Sequence, residues 1–120
     1  MNATIKICGL KDLRAIDAAI SNGAQYLGFV CDYPKSPRSC SALELIAITN
    51  KIHTKDIFKV AVMVDPNDRI IEQIHQHIDF IQLHGSETNE RIIDIKSRFN
   101  LRIIKAIKIK EEEDLQQIDL

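Results

Sequence analysis

Two hydrophobic rhythms alternate along this chain. Short β-branched or aliphatic runs give way to stretches in which apolar residues recur every three or four positions, and the alternation repeats five times. Residues 3–8, 26–30, 59–64, 80–83 and 102–107 read as strands. The run 26–30 is nearly continuous in apolar residues, as strands buried on both faces are. Residues 12–22 read as a helix striped by Ala15, Ile16, Ala19 and Ile20 and stopped at Asn22-Gly23. Ser41 and Glu44 match a capping box for a helix running to about residue 53. Asp65-Pro66 reads as an N-cap with proline at the first helical position, leading a helix that uses Ile70, Ile71, Ile74 and Ile78. Ser86 is the expected cap of a helix over 87–98 with Ile92, Ile93 and Ile95 apolar. A fifth helix opens over 110–114 with acidic residues in its first turn, where the helix dipole favours them.

Five βα units in succession predict an α/β fold with a parallel sheet and right-handed crossovers. A doubly wound sheet and part of a (β/α)8 barrel both fit that order. The complete barrel usually takes about 250 residues, and this chain has 120. Sixteen Lys and Arg stand against 17 Asp and Glu. That balance gives no footprint for nucleic acid and no polybasic membrane patch. The amino terminus has no basic segment leading into an apolar run, and no stretch approaches a membrane span. Cys8, Cys31 and Cys40 form no C-x-x-C pair, and their odd number fits a disulfide framework poorly, so cytoplasm is the default. Aromatics are only 5% and tryptophan is absent, which leaves Ile, Leu, Val and Ala to build the core.

In both architectures ligands bind at the carboxyl ends of the strands. That rule selects Cys8, the loop to Arg38, Asp65, His84 and the turn after Ile107. Cys8 fits either a small buried hydrophobe or a thiolate helped by the Gly9 turn, and spacing leaves both open. Pro34 and Pro37 stiffen a loop bearing Lys35 and Arg38 beside a helix start, which suits an anion but also an ordinary solvated loop. The planar, bidentate fork of Arg38 makes it the better partner for a carboxylate or phosphate. Gln82 and His84 share one face of their strand, and two inward polar side chains are hard to explain as core. His75 and His77, two apart on a helix, cannot share a face, so no metal pair is expected there. Asp65 is better explained as a helix cap than as a catalytic acid.

Lys-Ile-Cys-Gly-Leu at 6–10, Gly-Phe-Val at 28–30, Pro-Lys-Ser-Pro-Arg at 34–38, Gln-Leu-His-Gly at 82–85 and Ile-Lys-Ala at 104–106 occur in that order. Together they closely resemble the phosphoribosylanthranilate isomerases, (β/α)8-barrel enzymes of tryptophan biosynthesis. The resemblance covers essentially the whole chain. It implies an Amadori rearrangement of N-(5-phosphoribosyl)anthranilate by general acid and base, with no metal or organic cofactor. It implies Cys8 as the general base, Arg38 as a substrate contact, and Gln82 and His84 as the polar pair facing the site. The segment Val30-Cys31-Asp32-Tyr33 is one residue longer than the usual spacing before the Pro-Lys-Ser-Pro-Arg motif, which bears on where Arg38 lands.

The family's general acid, an aspartate ending strand six, and its glycine-rich phosphate turns would fall beyond Leu120. Asp114 and Asp119 belong to the expected fifth helix and are not assigned that role. The expectation is therefore a single domain over 1–120, an incomplete barrel truncated before its sixth strand. Its implied partners are a small phosphorylated substrate and a complementary carboxyl-terminal half or covalent continuation, with no nucleic acid and no membrane. The competing expectation is a catalytically inactive anion-binding or interaction module derived from the same barrel. A flavodoxin-like domain is disfavoured, because the turn after the first strand lacks that fold's phosphate cradle.

Overall fold

Parallel strands must be joined by crossovers, and here the helices supply them. The computed structural model describes residues 3–54 and 56–117. The element order is β1 (Lys6–Ile7), α1 (Leu13–Ser21), β2 (Tyr26–Val30), α2 (Ala42–Thr49), β3 (Phe58–Met63), α3 (Asp68–Ile74), β4 (Phe80–Leu83), α4 (Asn89–Phe99) and β5 (Arg102–Lys105). Short 3-10 turns occupy His75–His77 and Glu112–Gln117. All five strands are parallel and lie in the order β1-β2-β3-β4-β5. A doubly wound sheet reverses its strand order at a switch point. The unbroken order instead matches the winding of a barrel, and the fold is that of an open five-stranded portion of one.

Side chains alternate across the sheet, so every second residue meets the helices. Leu27, Phe29, Ala61, Met63, Ile81 and Leu83 form one core with Ile16 of α1, Leu45 of α2, Ile71 and Ile74 of α3, and Ile95 of α4. The helices thus cover one face. On the other, inner face, Tyr26 stacks on Phe58 with ring centroids 5.0 Å apart, and Phe80 meets both edge-on. The Arg102 guanidinium lies 5.5 Å from the Phe80 ring centre. These side chains close the amino-terminal end of the inner face.

Local signals set most element ends. Ser41 and Glu44 form the expected capping box. α2 is shorter than predicted, ending at Thr49, whose hydroxyl donates back to the Leu45 and Ile46 carbonyls. β1 is also shorter than its apolar run. The contact nevertheless continues past it, since Gly9 and Leu10 both donate N–H to the Gly28 carbonyl.

Four expectations fail. Asp65 is not the cap of α3: Asn67 is, accepting from Ile70 N–H at 2.9 Å. Asp65 instead stands in the left-handed region (φ 44°), turned toward the loop after β4. Ser86 likewise yields to Thr88, which caps α4. In both cases the earlier residue is held by a long-range contact, which leaves the next side chain to cap. Ile93, assigned to an apolar stripe, is 66% exposed on α4. The stretch expected to open a fifth helix forms a 3-10 turn, with Asp114 accepting from the N–H groups of Lys110 and Glu111. Asp119 lies outside the described residues.

Candidate active site

The carboxyl-terminal rim begins with Cys8, whose thiol is exposed and free. It belongs to the inner face and packs on Gly28 of β2, where a Cβ would lie 3.1 Å from both the Cys8 Sγ and Cα. A side chain there would make Cys8 give by a few tenths of an ångström. The next residue, Gly9, has φ +82°, a conformation L side chains rarely adopt. A Cβ there would lie 2.7 Å from the Arg38 Cδ, so the arginine lies across Gly9, the residue after Cys8.

The loop that brings Arg38 back is held from within. Ser39 Oγ accepts from Tyr33 N–H at 2.9 Å, and Ser36 Oγ accepts from Arg38 N–H at 3.2 Å. At its base Cys40 N–H donates to the Val30 carbonyl, and Asp32 N–H to the Cys40 carbonyl. Asp32 takes a left-handed conformation (φ 56°) where the chain leaves β2. The longer spacing before the Pro-Lys-Ser-Pro-Arg motif does not carry Arg38 off the rim.

Across the inner face, Lys6 Nζ of β1 donates to Gln82 Oε1 of β4 at 2.5 Å. The other end of that amide, Nε2, lies 2.6 Å from His84 Nε2. An amide nitrogen can only donate, so His84 Nε2 accepts and the ring proton sits on Nδ1. Burial holds His84 below the ordinary histidine range, and the positive charges of Lys6, Lys105 and Lys108 add to this against the opposing charge of Glu87. His84 is thus a neutral imidazole presenting an N–H.

Sequence reasoning missed the polar knot behind it. Glu87, whose side chain is 1% exposed, pairs with Lys105 Nζ at 2.7 Å. It also accepts from Asp65 N–H at 2.7 Å and Gly85 N–H at 3.0 Å. Lys105 Nζ donates in addition to the Gly85 carbonyl, and the Asp65 carboxylate accepts from Ser86 N–H. Burial alone would raise the Glu87 pKa, but Lys105 and the backbone donors outweigh it and hold the carboxyl low. The ends of β3, β4 and β5 are therefore tied together beneath His84. A cleft of about 580 Å³ opens there, lined by Asp65, His84, Lys105 and Lys108 among others. Lys6 carried a usable signal, standing two residues before Cys8 and hence on its face. Glu87 carried none, because its partner is distant in sequence.

Of the residues selected from sequence, Arg38 packs on Gly9, the neighbour of Cys8, while Gln82 and His84 are joined to β1 through Lys6. Asp65 enters the rim through its N–H, which donates to Glu87, and its carboxylate, which accepts from Ser86 N–H. No group of three or more His, Cys, Asp or Glu side chains suited to a metal stands together among the described residues. Among them, too, no helix is long and apolar enough to cross a membrane. A larger cleft of about 840 Å³ lies at the amino-terminal ends of the strands, away from these groups, between Phe58, Asp79, Ile93 and Arg102.

A family model described as N-(5'-phosphoribosyl)anthranilate (PRA) isomerase matches residues 5–119. A protein named N-(5'-phosphoribosyl)anthranilate isomerase from Parvibaculum lavamentivorans is 40% identical over 116 residues, covering 95% of this chain and 53% of its own. Its namesake from Brucella canis is 41% identical over 120 residues, covering 98% of this chain and 53% of its own. The crystal structure of the Thermotoga maritima isomerase superposes with a TM-score of 0.87 at 30% identity, over 97% of this chain and 56% of that one. Another, of the isomerase in complex with reduced 1-(o-carboxyphenylamino)-1-deoxyribulose 5-phosphate, also reaches 0.87 at 30% identity, over 97% and 59%. The chain spans about half the length of the curated relatives it matches.

Proposed function

The chain belongs to the N-(5'-phosphoribosyl)anthranilate isomerase family, and from that premise we propose that it supplies the base-bearing part of an Amadori rearrangement. In this reading the substrate is N-(5-phosphoribosyl)anthranilate, opened at its ribose ring to a protonated Schiff base. The Cys8 thiolate takes the proton from C2 of the sugar. The electrons of that C–H bond move toward the iminium nitrogen, and the resulting enol tautomerises to 1-(2-carboxyphenylamino)-1-deoxyribulose 5-phosphate. No cofactor is needed, since the iminium is itself the electron sink. Arg38 holds an anionic group of the substrate, and His84 offers its Nδ1–H to the substrate as a neutral donor. Gln82 keeps that ring in place.

The observation that carries this reading is that Arg38 packs on Gly9, the residue after Cys8, which sets an anion clamp at the strand end that bears the base. The acid that opens the ring and the phosphate site are assigned to a further segment, as a continuation of the chain or a complementary half, corresponding to what the relatives have in addition. Partly exposed Ile5, Ile7 and Leu13 at the β1 edge, and Ile109 and Leu115 beyond β5, support such a segment packing there. We place the protein in the cytoplasm, where thiols stay reduced, in keeping with its free cysteines.

The test is to assay N-(5-phosphoribosyl)anthranilate turnover by the chain alone and mixed with the carboxyl-terminal part of the Brucella canis relative. The mixture is expected to turn over and the chain alone to stay near background. In the mixture Cys8→Ala is expected to lose about 10²–10⁴-fold in kcat, the usual worth of an acid–base partner. Undiminished turnover by Cys8→Ala would remove Cys8 from the role of base.

A further inference from the structure

The base of the Arg38 loop holds two thiols that the reading above does not use. Cys31 follows β2 directly and Cys40 precedes Ser41, the cap of α2. The two are partners in an isolated parallel bridge. Parallel neighbours run about 4.8 Å apart, inside the roughly 4.4–6.8 Å between Cα atoms that a disulfide spans. Both are buried in the helix-side core, Cys31 at 0% and Cys40 at 2% exposure. Cys8 lies on the opposite face, against Gly28, and is remote from this pairing.

We propose that Cys31 and Cys40 are a peroxide-oxidised dithiol whose disulfide staples the base of the loop that carries Arg38. The geometry also divides the roles between the two sulfurs. The neighbouring Cys40 sulfur and burial push the Cys31 thiol up, while the Cys40 thiol donates to the Val30 carbonyl at 3.2 Å. Its neighbour Cys31 draws the Cys40 thiol below its ordinary value, opposed by burial and Glu44. Cys40 also lines a surface cleft of about 320 Å³ with Lys11, Asp32 and Ser39, large enough for a small hydroperoxide. Because Cys40 and not Cys31 lines that cleft, Cys40 is the attacking sulfur and Cys31 the resolving one.

The chemistry balances with a hydroperoxide as oxidant. The Cys40 thiolate attacks the terminal peroxide oxygen, the O–O bond breaks, and an alcohol (or water, from hydrogen peroxide) leaves with a proton taken from solvent. The Cys31 thiol then loses its proton as its sulfur attacks the Cys40 sulfenic acid. The S–O bond breaks, and hydroxide leaves with that proton as water. The two residues are already paired across the bridge.

Hydrogen peroxide, followed by alkylation of remaining thiols and peptide mass mapping, tests this. Alkylatable thiols are expected to fall from three to one, with a peptide joining Cys31 to Cys40 and two hydrogens lost from the intact mass. Dithiothreitol should restore all three. In Cys31→Ser, Cys40 should be trapped as a sulfenic acid by a cyclic 1,3-diketone, whereas in Cys40→Ser Cys31 should stay unlabelled. A Cys31 and Cys40 pair that stays alkylatable while Cys8 oxidises, or linkage only between chains, would overturn the proposal.

Discussion

Lys6 on β1 and His84 after β4 never touch, yet the amide of Gln82 couples them, because the end that accepts from the lysine leaves only a donor for the histidine. The lysine thereby decides which imidazole nitrogen bears the proton. Lys6→Met should release the amide and remove a cation, so that His84 titrates at higher pH than in the unaltered chain. Histidine ring NMR across the titration reads both the pKa and the tautomer. An unchanged tautomer and pKa would mean that Gln82 is held without Lys6.

His84 and Glu87 are both depressed, and both make the fold sensitive to acid. The folded state favours neutral His84, so its contribution is complete above the unfolded value of about 6.5 and declines as pH falls from there toward the lower folded value. Ionised Glu87 contributes fully above about 4.3, and that contribution is lost as pH falls through its folded pKa. Melting temperature measured from about pH 8 downward should therefore drop in two stages. His84→Asn should lack the upper stage, and Glu87→Gln should weaken the lower, to which Glu44, Asp68 and Asp114, also held low, contribute as well.

Glu87→Ala strands the Lys105 ammonium and leaves two backbone N–H groups without an acceptor. Removing one partner of a buried pair costs about 3–5 kcal/mol, and the lower end applies here because Lys105 keeps the Gly85 carbonyl and some solvent. Urea unfolding of Glu87→Ala, Lys105→Met and the double variant separates the pair from the backbone bonds. The double variant should recover part of the loss, since it removes the stranded charge.

Gly9→Ala forces an L side chain into positive φ and into the Arg38 methylenes. About 1–2 kcal/mol of stability should go with the strain. In a complemented enzyme, affinity for the product analogue should fall as well, as it should in Arg38→Ala. A Gly9→Ala variant that loses stability but binds normally would show that Arg38 reaches the ligand without its seat on Gly9.

Much of this was legible in the sequence because its causes are local. The capping box at Ser41 and Glu44 is closed within one helical turn, and Gln82 and His84 share a face by strand alternation alone. Asp65 misled for the converse reason. Its sequence context is that of a helix cap, but Glu87 and Ser86, met only once β3 and β4 are paired, hold it instead. The Glu87–Lys105 pair is invisible for the same cause, and so is the reach of Lys6 across the inner face. Local rules fix the elements, whereas the polar wiring between strands depends on a register that no single segment encodes.

The order of the strands also bears on how the chain acquires its shape. Lys6 stands opposite Tyr26, Tyr26 opposite Phe58, Val60 opposite Phe80, and Phe80 opposite Arg102, so no pairing skips a unit. Each strand, as it leaves the ribosome, finds its neighbour already made and waits for nothing downstream. Synthesis from the amino terminus can therefore lay the sheet down one crossover at a time.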